Sequence, residues 1–324
     1  MWRLKLDNIF FSLNCAGILN MKYFFYTALY LLVLNQALAQ WHSPSEFNRG
    51  NVTCFANFGT YVFAGANGAG VMLSSDNGQN WVPANNRLGN KNVNSIAANS
   101  KFLFAGTDGG IFLSADTGNN WTEINSGLTS KLVQSLLVIG NDLYAGTNGA
   151  GIFHSSDNGA KWIEMNNGLS NMSVYLVTTY KGKLFAGTIS GGVCFYSDSA
   201  ASWMPLNAGL TPAAVVYTLA FTDSLIFAGT QGGGVFVLNT NRLNPAWKSS
   251  GLLANNVQSI ISNANVLYAS TYGAGVFRSV NNGGDWVSFG TGLNNAYINS
   301  LAVIGNNLFA GSDGGGVSVY PLTR

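Results

Sequence analysis

The chain is poor in charge and rich in glycine, which restricts the classes of protein to which it can belong. Of its 324 residues, 47% are hydrophobic and 9% are charged, and 40 are glycine. This composition disfavours a long-helix or disordered protein and favours many short strands joined by tight turns. The formal net charge of +2 argues against nucleic-acid binding, which needs a basic face.

An apolar segment near the N-terminus has the pattern of a secretory signal peptide. One lysine precedes the apolar run Tyr23–Leu34, and the small-residue exit Ala37-Leu38-Ala39 follows it. This order of basic, apolar and small-residue regions predicts a leader over residues 1–39, with Met21 as the true start. An uncleaved membrane anchor is the alternative, although the apolar run is short for a transmembrane helix.

The remaining residues, 40–324, are expected to form one secreted or periplasmic domain. Its formal net charge is zero, because the leader holds the excess basic residues of the chain. Cys54 and Cys194 lack histidine partners, so we predict no metal site. No polybasic or strongly amphipathic segment indicates a membrane surface. We expect no cofactor, no nucleic acid, no membrane insertion after signal cleavage, and a monomer.

Two sequence motifs recur in phase along residues 40–324. Tryptophan returns at intervals of 39 to 44 residues, at Trp41, Trp81, Trp121, Trp162, Trp203, Trp247 and Trp286. A motif of the type FAGT or YAGT keeps the same interval, starting at Phe63, Phe104, Tyr144, Phe185, Phe227, Tyr268 and Phe309. Seven copies of each motif predict a repeated structural unit of about 40 residues.

Each unit has the pattern of four short strands. In the second unit these are VNSIAA from Val93, FLFAGT from Phe102, IFLS from Ile111 and WTEI from Trp121. Glycines between them permit the positive φ angles of tight hairpins. Four strands per unit predict an all-β, seven-bladed β-propeller of four-stranded blades.

A motif of the form S-x-D-x-G-x-x-W lies between the third and fourth strands. Its three full copies are Ser74/Asp76/Gly78/Trp81, Ser114/Asp116/Gly118/Trp121 and Ser155/Asp157/Gly159/Trp162. The aspartate is expected to accept hydrogen bonds from amides of its own turn, the glycine to supply an unusual backbone angle, and the tryptophan to bury its ring. We therefore interpret these residues as structural and not as catalytic.

The motif resembles the Asp-box, or BNR repeat, of β-propellers. That group includes sialidases, sortilin domains, xyloglucan-degrading glycosidases and photosystem II assembly factors. The resemblance covers residues 40–324 and implies the fold much more than a function. Three units depart from it: Asn281 replaces the aspartate in the sixth, Ala200 replaces the glycine in the fourth, and the fifth has NTNRLNPAW. These blades should keep the hairpin with different turn chemistry.

The two ends of the domain predict how the ring closes. The seventh unit stops after its third strand, without the box or its tryptophan, while Trp41 precedes the first unit. We therefore expect Gln40 to Phe47 to supply the outer strand of the last blade. Closure of this kind removes an exposed sheet edge, which would otherwise invite association.

Functional residues are expected on the face that carries the loops between second and third strands and the connections between blades. The candidate ligand-binding residues there are Asn67, Asp108, Asn148, Gln231, Tyr272, Tyr297 and Asp313. Amides and aromatic rings suit a protein or a glycan partner. The alternative is that tight turns simply favour such residues.

Enzymatic hypotheses find less support in the sequence. The Phe-Arg-Ile-Pro start of sialidases is absent, and the arginines are scattered over the repeats. A glycoside hydrolase needs two carboxylates across a cleft, for which Asp108 and Asp313 are the candidates. We therefore favour a secreted, non-enzymatic propeller that binds a protein or glycan through its loop face. A glycoside hydrolase using these aspartates, and an assembly or maturation factor for an envelope complex, are the alternatives.

The leader hypothesis makes a direct prediction about the mature protein. Because Ala37-Leu38-Ala39 fits a signal-peptidase exit site, the mature chain is expected to begin at Gln40. Intact-mass measurement of the protein isolated from its native host checks this. A mass that includes the apolar run would indicate an anchored protein instead.

Overall fold

Short β-strands are the regular secondary structure of this protein. The computed structural model describes residues 40–44, 50–211, 214–252 and 256–322, so the predicted leader at 1–39 lies outside the described residues. Within these ranges the chain forms 27 strands. No helix among the described residues has the length and hydrophobicity that a membrane crossing requires.

The strands repeat in the order inner, second, third and outer. The inner strands are β1 (Asn51–Phe58), β5 (Val93–Ala98), β9 (Val133–Ile139), β13 (Val174–Tyr180), β17 (Val216–Phe221), β21 (Val257–Asn263) and β25 (Ile298–Ile304). The second strands are β2 (Tyr61–Asn67), β6 (Leu103–Thr107), β10 (Asp142–Thr147), β14 (Lys183–Thr188), β18 (Leu225–Thr230), β22 (Val266–Thr271) and β26 (Asn307–Ser312). The third strands are β3 (Gly70–Ser74), β7 (Gly110–Ser114), β11 (Gly151–Ser155), β15 (Gly192–Ser197), β19 (Gly234–Asn239), β23 (Gly275–Ser279) and β27 (Gly316–Pro321). The outer strands are β4 (Val82–Pro83), β8 (Thr122–Glu123), β12 (Ile163–Glu164), β16 (Ser202–Pro205), β20 (Lys248–Ser249) and β24 (Val287–Ser288).

The strands form seven antiparallel sheets, six in the order inner, second, third, outer, and the seventh, β25-β26-β27, without an outer strand among the 27. The inner strands contact one another in succession from β1 through β5, β9, β13, β17 and β21 to β25, and β25 contacts β1 again. This closed circle makes each sheet one blade of a ring. The prediction of a seven-bladed, all-β propeller is confirmed.

The hydrophobic core lies between consecutive blades. Strand β6 is buried at every position, because both faces of its sheet are covered by neighbouring blades. Phe63 of the first blade, for example, packs with Leu103 and Trp121 of the second in one cluster of buried side chains. The aromatic residue of the motif is buried in six blades, and Tyr144 of the third blade is partly buried against the fourth.

The glycine of the FAGT motif is required by close approach of the next blade. A Cβ on Gly106 would lie 2.7 Å from a methyl of Val133, and one on Gly65 would lie 2.7 Å from a methyl of Val93. Both distances are too short for carbon atoms in contact. The glycine of the motif is therefore required by the close packing of successive blades.

The S-x-D-x-G-x-x-W turn is held by its own side chains. In the second blade, Ser114 Oγ donates to Asp116 Oδ1 at 2.9 Å and accepts from the amide of Gly118 at 2.8 Å. The Asp116 carboxylate also accepts from the backbone N–H and the side-chain amide of Asn120, both at 2.8 Å. The turn places Thr117 and Gly118 at φ angles of 60° and 83°, in the left-handed region that glycine tolerates best.

The first and third blades have the same turn. The amide of Gly78 donates to Ser74 Oγ, and the amide of Gly159 donates to Ser155 Oγ, both at 2.8 Å. The φ angles of Gly78 and Gly159 are 88° and 87°. All three box glycines therefore adopt the unusual backbone angle that the sequence predicts for them.

Gly78 and Gly159 nevertheless have a second role that the sequence interpretation did not include. Both glycines are buried, and not merely part of a surface turn. A Cβ on Gly78 would lie 2.5 Å from Cε1 of Phe309, and a Cβ on Gly159 would collide with Cδ1 of Ile124. Phe309 and Ile124 belong to the preceding blades of the ring. The assignment of these glycines to turn geometry alone was therefore incomplete, because close packing against the neighbouring blade also excludes a side chain.

The sixth blade keeps this hydrogen-bond pattern although its aspartate is replaced. Asn281 Oδ1 accepts from Ser279 Oγ at 3.0 Å and from the amide of Asp285 at 2.9 Å. The amide of Gly283 donates to Ser279 Oγ at 3.0 Å. The expectation of different turn chemistry was therefore wrong for this blade, because a neutral amide oxygen accepts the same bonds.

From the second blade onward, the repeat tryptophan ties each blade to the preceding one. The indole N–H of Trp121 donates to the carbonyl of Ala84 at 2.8 Å, and that of Trp162 donates to the carbonyl of Ile124 at 2.7 Å. In both cases the acceptor follows the outer strand of the blade before. The same bond at 2.7 Å joins Trp203 to Met165, Trp247 to Leu206 and Trp286 to Ser250.

The tryptophan of the first blade contacts both its own turn and the seventh blade. The indole N–H of Trp81 donates to the carbonyl of Gly78, within its own turn, at 3.1 Å. Its ring is still buried, in a cluster with Phe309 and Val319 of the seventh blade. The ring of Trp81 is therefore packed between the first and seventh blades.

Trp41 takes the place of the missing tryptophan of the seventh blade. Its indole N–H donates to the carbonyl of Phe289, which follows the outer strand of the sixth blade, at 2.6 Å. His42 forms an antiparallel bridge with Val319 in β27, through N–H to carbonyl bonds of 3.0 and 2.8 Å. The N-terminal segment thus pairs with the outer edge of the last sheet through His42, and the prediction of closure by this segment is confirmed. Residues 45–47 of the predicted strand lie outside the described residues.

Closure by Trp41 predicts a loss of stability when its side chain is removed. Trp41 is 4% exposed, so Trp41→Ala is expected to lower the free energy of unfolding by about 3 kcal/mol, the lower end for a buried tryptophan. Urea denaturation measures the change. Val287→Ala, at a 55% exposed outer-strand position, is the control and should cost less than about 0.5 kcal/mol. Equal stability of both variants would contradict closure by Trp41.

The turn carboxylates predict an acid-dependent part of the stability. Hydrogen bonds lower the pKa of three aspartates from 3.8: those from Asn80 act mainly on Asp76, those from Asn120 on Asp116, and that from Ser155 on Asp157. A pKa lower in the folded state gives a contribution that is present above pH 3.8 and is lost as the pH falls through the folded value.

Replacing all three aspartates by asparagine should therefore flatten the fall in stability at acidic pH. The urea midpoint measured from neutral to acidic pH provides the comparison. Asn281→Asp combined with Asp285→Asn is the matched variant, because Asn281 donates its amide to the Asp285 carboxylate at 2.8 Å. The exchange gives the sixth blade the arrangement of Asp116 and Asn120 and should steepen the fall. If the unmodified protein and both variants give superimposable pH profiles, the turn carboxylates make no pH-dependent contribution to stability.

Candidate functional site

Every inner strand carries a β-bulge near its start. In the second blade, Val93 pairs with Thr107 and Ser95 with Gly106, so Asn94 has no partner in the register. A bulge of this kind turns the side chain of the extra residue away from the regular pleat. The bulge residues of the seven blades are Thr53, Asn94, Gln134, Tyr175, Tyr217, Gln258 and Asn299.

The bulge residues line one cavity of about 400 Å³, together with Asn51, Tyr272 and Asp313. Because all seven blades contribute, the cavity lies at the centre of the ring, and we call it the axial cavity. It lies at the starts of the inner strands. The loops between second and third strands and the blade connections lie at that end of the blades, on the side we call the loop face.

Part of the cavity wall is built from bonds between blades. Thr53 Oγ1 donates to the carbonyl of Val93, and Asn94 Nδ2 donates to that of Val133 at 3.0 Å. Asn299 Nδ2 lies 3.3 Å from the carbonyl of Val52, across the junction of the last and first blades. These bulge residues therefore use their donors to hold the ring.

Other bulge residues keep polar groups free for a ligand. Tyr175 and Tyr217 pack edge to face, with ring centroids 5.0 Å apart and planes at 67°. Burial raises the pKa of Tyr217, and a hydrogen bond with the Gln258 side chain opposes this rise. Among the residues that the structure describes, Gln134 and the Tyr175 hydroxyl have no hydrogen-bond partner. The cavity therefore offers an unused amide and an unused phenol.

A carboxylate and two tyrosines meet at the edge of the axial cavity. Tyr272 donates its hydroxyl proton to Asp313 Oδ2 at 2.7 Å, and its ring packs edge to face with Tyr297 at 4.9 Å. The Asp313 amide donates to the Tyr297 carbonyl at 2.9 Å. The hydrogen bond to Asp313, together with its negative charge, raises the pKa of Tyr272. Tyr272 therefore remains a proton donor at neutral pH.

The other sequence-predicted candidates lie on the loop face outside the lining of the axial cavity. Asn67, Asn148 and Gln231 are exposed, and Asn148 accepts a hydrogen bond from Ser173 at 2.8 Å. The structure therefore brings Tyr272, Tyr297 and Asp313 together. The asparagine and glutamine candidates lie apart from that cluster.

Asp108 and Asp313 occupy the same repeat position but have different surroundings. Asp108 accepts hydrogen bonds from the side-chain amides of Asn92 at 3.1 Å and Asn94 at 2.8 Å, whereas Asp313 faces the cavity. Asp108 is not among the residues that line the axial cavity, whereas the pair of a glycosidase flanks one cleft. Within the described ranges, no group of three or more His, Cys, Asp or Glu side chains could hold a metal ion.

Sequence reasoning missed the ring of bulge residues. The signal was present, because each of them directly follows a fully buried valine or isoleucine at the first or second position of an inner strand. The alternation of side chains along a regular strand does not predict that the side chain at this position points towards the axis of the ring. Aligning the seven units on this valine would have revealed a ring of amides, tyrosines and one threonine.

Four large apolar side chains are exposed on the loop face. Leu132 and Met172 are each 43% exposed, Tyr272 is 43% exposed and Tyr297 is 48% exposed. Leu132, Met172 and Tyr297 lie in blade connections, and Tyr272 lies in the loop after β22. We call these four residues the loop-face rim. Large exposed apolar side chains on a face that also carries a polar cavity make that face a candidate interaction surface.

Comparisons with known proteins agree with this architecture. Residues 38–167 match the family model of the DUF6242 beta propeller domain. The chain is a β-propeller. The resemblance inferred from the repeated motif is thus confirmed at the level of the fold. A search of curated proteins finds no match.

Several solved structures are similar to this propeller. The extracellular domain of BT4673 from B. thetaiotaomicron has a TM-score of 0.72 and 19% identity, over 87% of this chain and 40% of that one. YCF48 from Cyanidioschyzon merolae has a TM-score of 0.68 and 16% identity, over 87% and 98%. The GH74 xyloglucanase from Xanthomonas campestris has a TM-score of 0.68 and 16% identity, over 88% and 54%.

A structure of YCF48 bound to D1 peptide is also similar, with a TM-score of 0.70 and 14% identity over 89% of this chain and 96% of that one. This propeller spans 40% of the length of the BT4673 domain. The similar structures thus comprise an extracellular domain, a peptide-binding protein and a xyloglucanase. At these identities the likeness shows the fold, and function has to be argued from the site.

Proposed function

We propose that this protein is a secreted or periplasmic, non-enzymatic β-propeller that binds another protein through its loop face. The observation that carries the proposal is the axial cavity of about 400 Å³, to which all seven blades contribute a side chain. Concave sites with a few convergent polar groups are typical ligand sites. An extended segment of a partner would cross the loop-face rim and insert a side chain into the cavity.

The chemistry of the rim supports a protein partner. Tyrosine, methionine and leucine supply apolar contact area, and tyrosine is enriched at protein interfaces because it combines a large ring with a polar hydroxyl. The similarity to YCF48, whose structure has been solved with D1 peptide, supports the same class of partner. The extracellular origin of the BT4673 domain supports a location outside the cytoplasm, as does the predicted leader.

The opposite face has another role in this proposal. We propose that its S-x-D-x-G-x-x-W turns are Asp-boxes that serve folding. Their serine and aspartate groups are already engaged, as the bonds of Ser114 with Asp116 and Gly118 illustrate, and Gly78 and Gly159 are buried against neighbouring blades. A ligand at these turns would have to displace several internal hydrogen bonds, which costs more than binding to free groups.

Binding to a displayed peptide library and to a glycan array tests the proposed function. The full-length protein is expected to retain a set of peptides, and Tyr272→Ala combined with Tyr297→Ala should weaken this binding at least about tenfold, as loss of interface tyrosines does. The matched control is Ile163→Ala combined with Val287→Ala. It removes apolar side chains that are 61% and 55% exposed on outer strands, and it should bind as the unmodified protein does.

Several results would contradict this proposal. Retention of glycans that is lost in the tyrosine variant would make a glycan the partner. Release of soluble sugars that stops in both Asp108→Asn and Asp313→Asn would identify a glycoside hydrolase. Equal loss of binding in the tyrosine variant and its outer-strand control, or no binding at all, would exclude the loop face as the site.

A further inference from the structure

We propose that the axial cavity binds a positively charged group, the ammonium of a lysine or the guanidinium of an arginine side chain of the partner. This inference rests on the proposed function and names the chemical group that the site recognises. It follows from the charge of the lining, from the acceptors left free and from the arrangement of the aromatic rings.

The lining of the cavity carries one carboxylate and no positive charge. Asp313 lines it, while the remaining lining residues that the structure describes are neutral asparagine, glutamine, threonine and tyrosine. A carboxylate at the wall of a depression attracts cations more strongly than one on an open surface, because less water screens it. The electrostatic potential of the site therefore selects against anionic and in favour of cationic groups.

The free hydrogen-bonding groups of the cavity can accept the protons of such a cation. The Tyr272 hydroxyl donates a hydrogen bond to Asp313 Oδ2, whereas Asp313 Oδ1 accepts no hydrogen bond from the described residues. An ionised carboxylate accepts about four hydrogen bonds, so most of its capacity is unused. The Gln134 amide oxygen, which is also free, provides another acceptor. The donors of Thr53, Asn94 and Asn299 are already bonded to protein oxygens.

The tyrosine pair fits a compact cation better than a sugar ring. A sugar stacks on a broad flat aromatic face, but the planes of Tyr175 and Tyr217 meet at 67° and form a corner. An ammonium or guanidinium group needs only to approach an electron-rich ring face to within about 6 Å of the ring centroid. Such a corner offers this contact while Asp313 supplies the countercharge.

The route into the cavity also suits a long side chain. Tyr272 lies both in the lining and on the loop-face rim, where Tyr297 packs against it. The methylene stem of a lysine or arginine can bury against these rings while its charged end reaches Asp313. A lysine or arginine side chain of a partner held at the rim can therefore reach the site.

Titration with short defined peptides tests this inference. The probes are acetylated, amidated pentapeptides of glycine with lysine, arginine or norleucine at the centre, and NMR chemical shifts of the full-length protein report binding. Lysine and arginine peptides are expected to bind at least about tenfold more tightly than the norleucine peptide, as one favourable charged contact permits. Their affinity should fall as salt concentration rises.

Substitutions locate the preference. Asp313→Asn should abolish it, and Tyr175→Leu should weaken binding of lysine and arginine peptides. Asp223→Asn removes the same charge from an exposed hairpin position on the opposite face and should leave the preference unchanged. Thermal melting of each variant confirms folding, and Tyr175→Leu provides a second route if Asp313→Asn is unstable.

Equal binding of lysine and norleucine peptides, or a preference that survives Asp313→Asn, would overturn the inference. Absence of any lysine-dependent shift at millimolar peptide would do the same. Failure of this inference can be told apart from failure of the proposed function. If Tyr297→Ala weakens binding of the library peptides but Asp313→Asn does not, the loop face is still the binding surface and only the cation inference fails. If neither substitution changes binding of the library peptides, the proposed function is excluded as well.

Discussion

The hydrogen bond from a repeat tryptophan to the preceding blade sets the spacing of the ring. The indole ring is buried between two sheets, and its N–H reaches a carbonyl just after the outer strand of the neighbour, as Trp162 reaches Ile124. A buried indole N–H without an acceptor would cost about 1 to 3 kcal/mol, so the ring can occupy this position in few orientations. The contact therefore fixes the distance between the outer edges of adjacent blades, and the cavity at the axis depends on that distance.

Closure of the ring reuses contacts that occur between the other blades. Trp41 donates to Phe289 in the way that the tryptophans of the second to sixth blades donate to their neighbours. Near the axis, a Cβ on Gly311 would lie 2.5 Å from a methyl of Val52, so the first blade approaches the last as closely as the others approach one another. Asn299 adds a polar contact to Val52. The junction is consequently held both at the outer edge and at the axis.

The two faces of the ring differ in how far their polar groups are already satisfied. On one face, the turn carboxylates accept hydrogen bonds from their own loops, which stabilises the hairpins and leaves little for a ligand. On the loop face, repeat positions diverge: Asp108 is bonded to two asparagine amides, whereas Asp313 meets Tyr272 and the axial cavity. The proposed site lies where one blade departs from the bonding pattern of the others, and this explains why motif position alone does not identify it.

The number of blades, their four-strand order and the role of Trp41 in closing the ring could all be predicted from the sequence alone, because they follow from local motifs repeated at a constant spacing. The same repeats placed Tyr272, Tyr297 and Asp313 on one face. That the bulge residues meet at the axis emerged with the folded ring, because a bulge depends on pairing with another strand and not on the residue itself. That Asp313, and not Asp108, faces the cavity also depends on the folded structure, since Asp108 is bonded to two asparagine amides of its own blade while Asp313 meets Tyr272 of the adjacent blade.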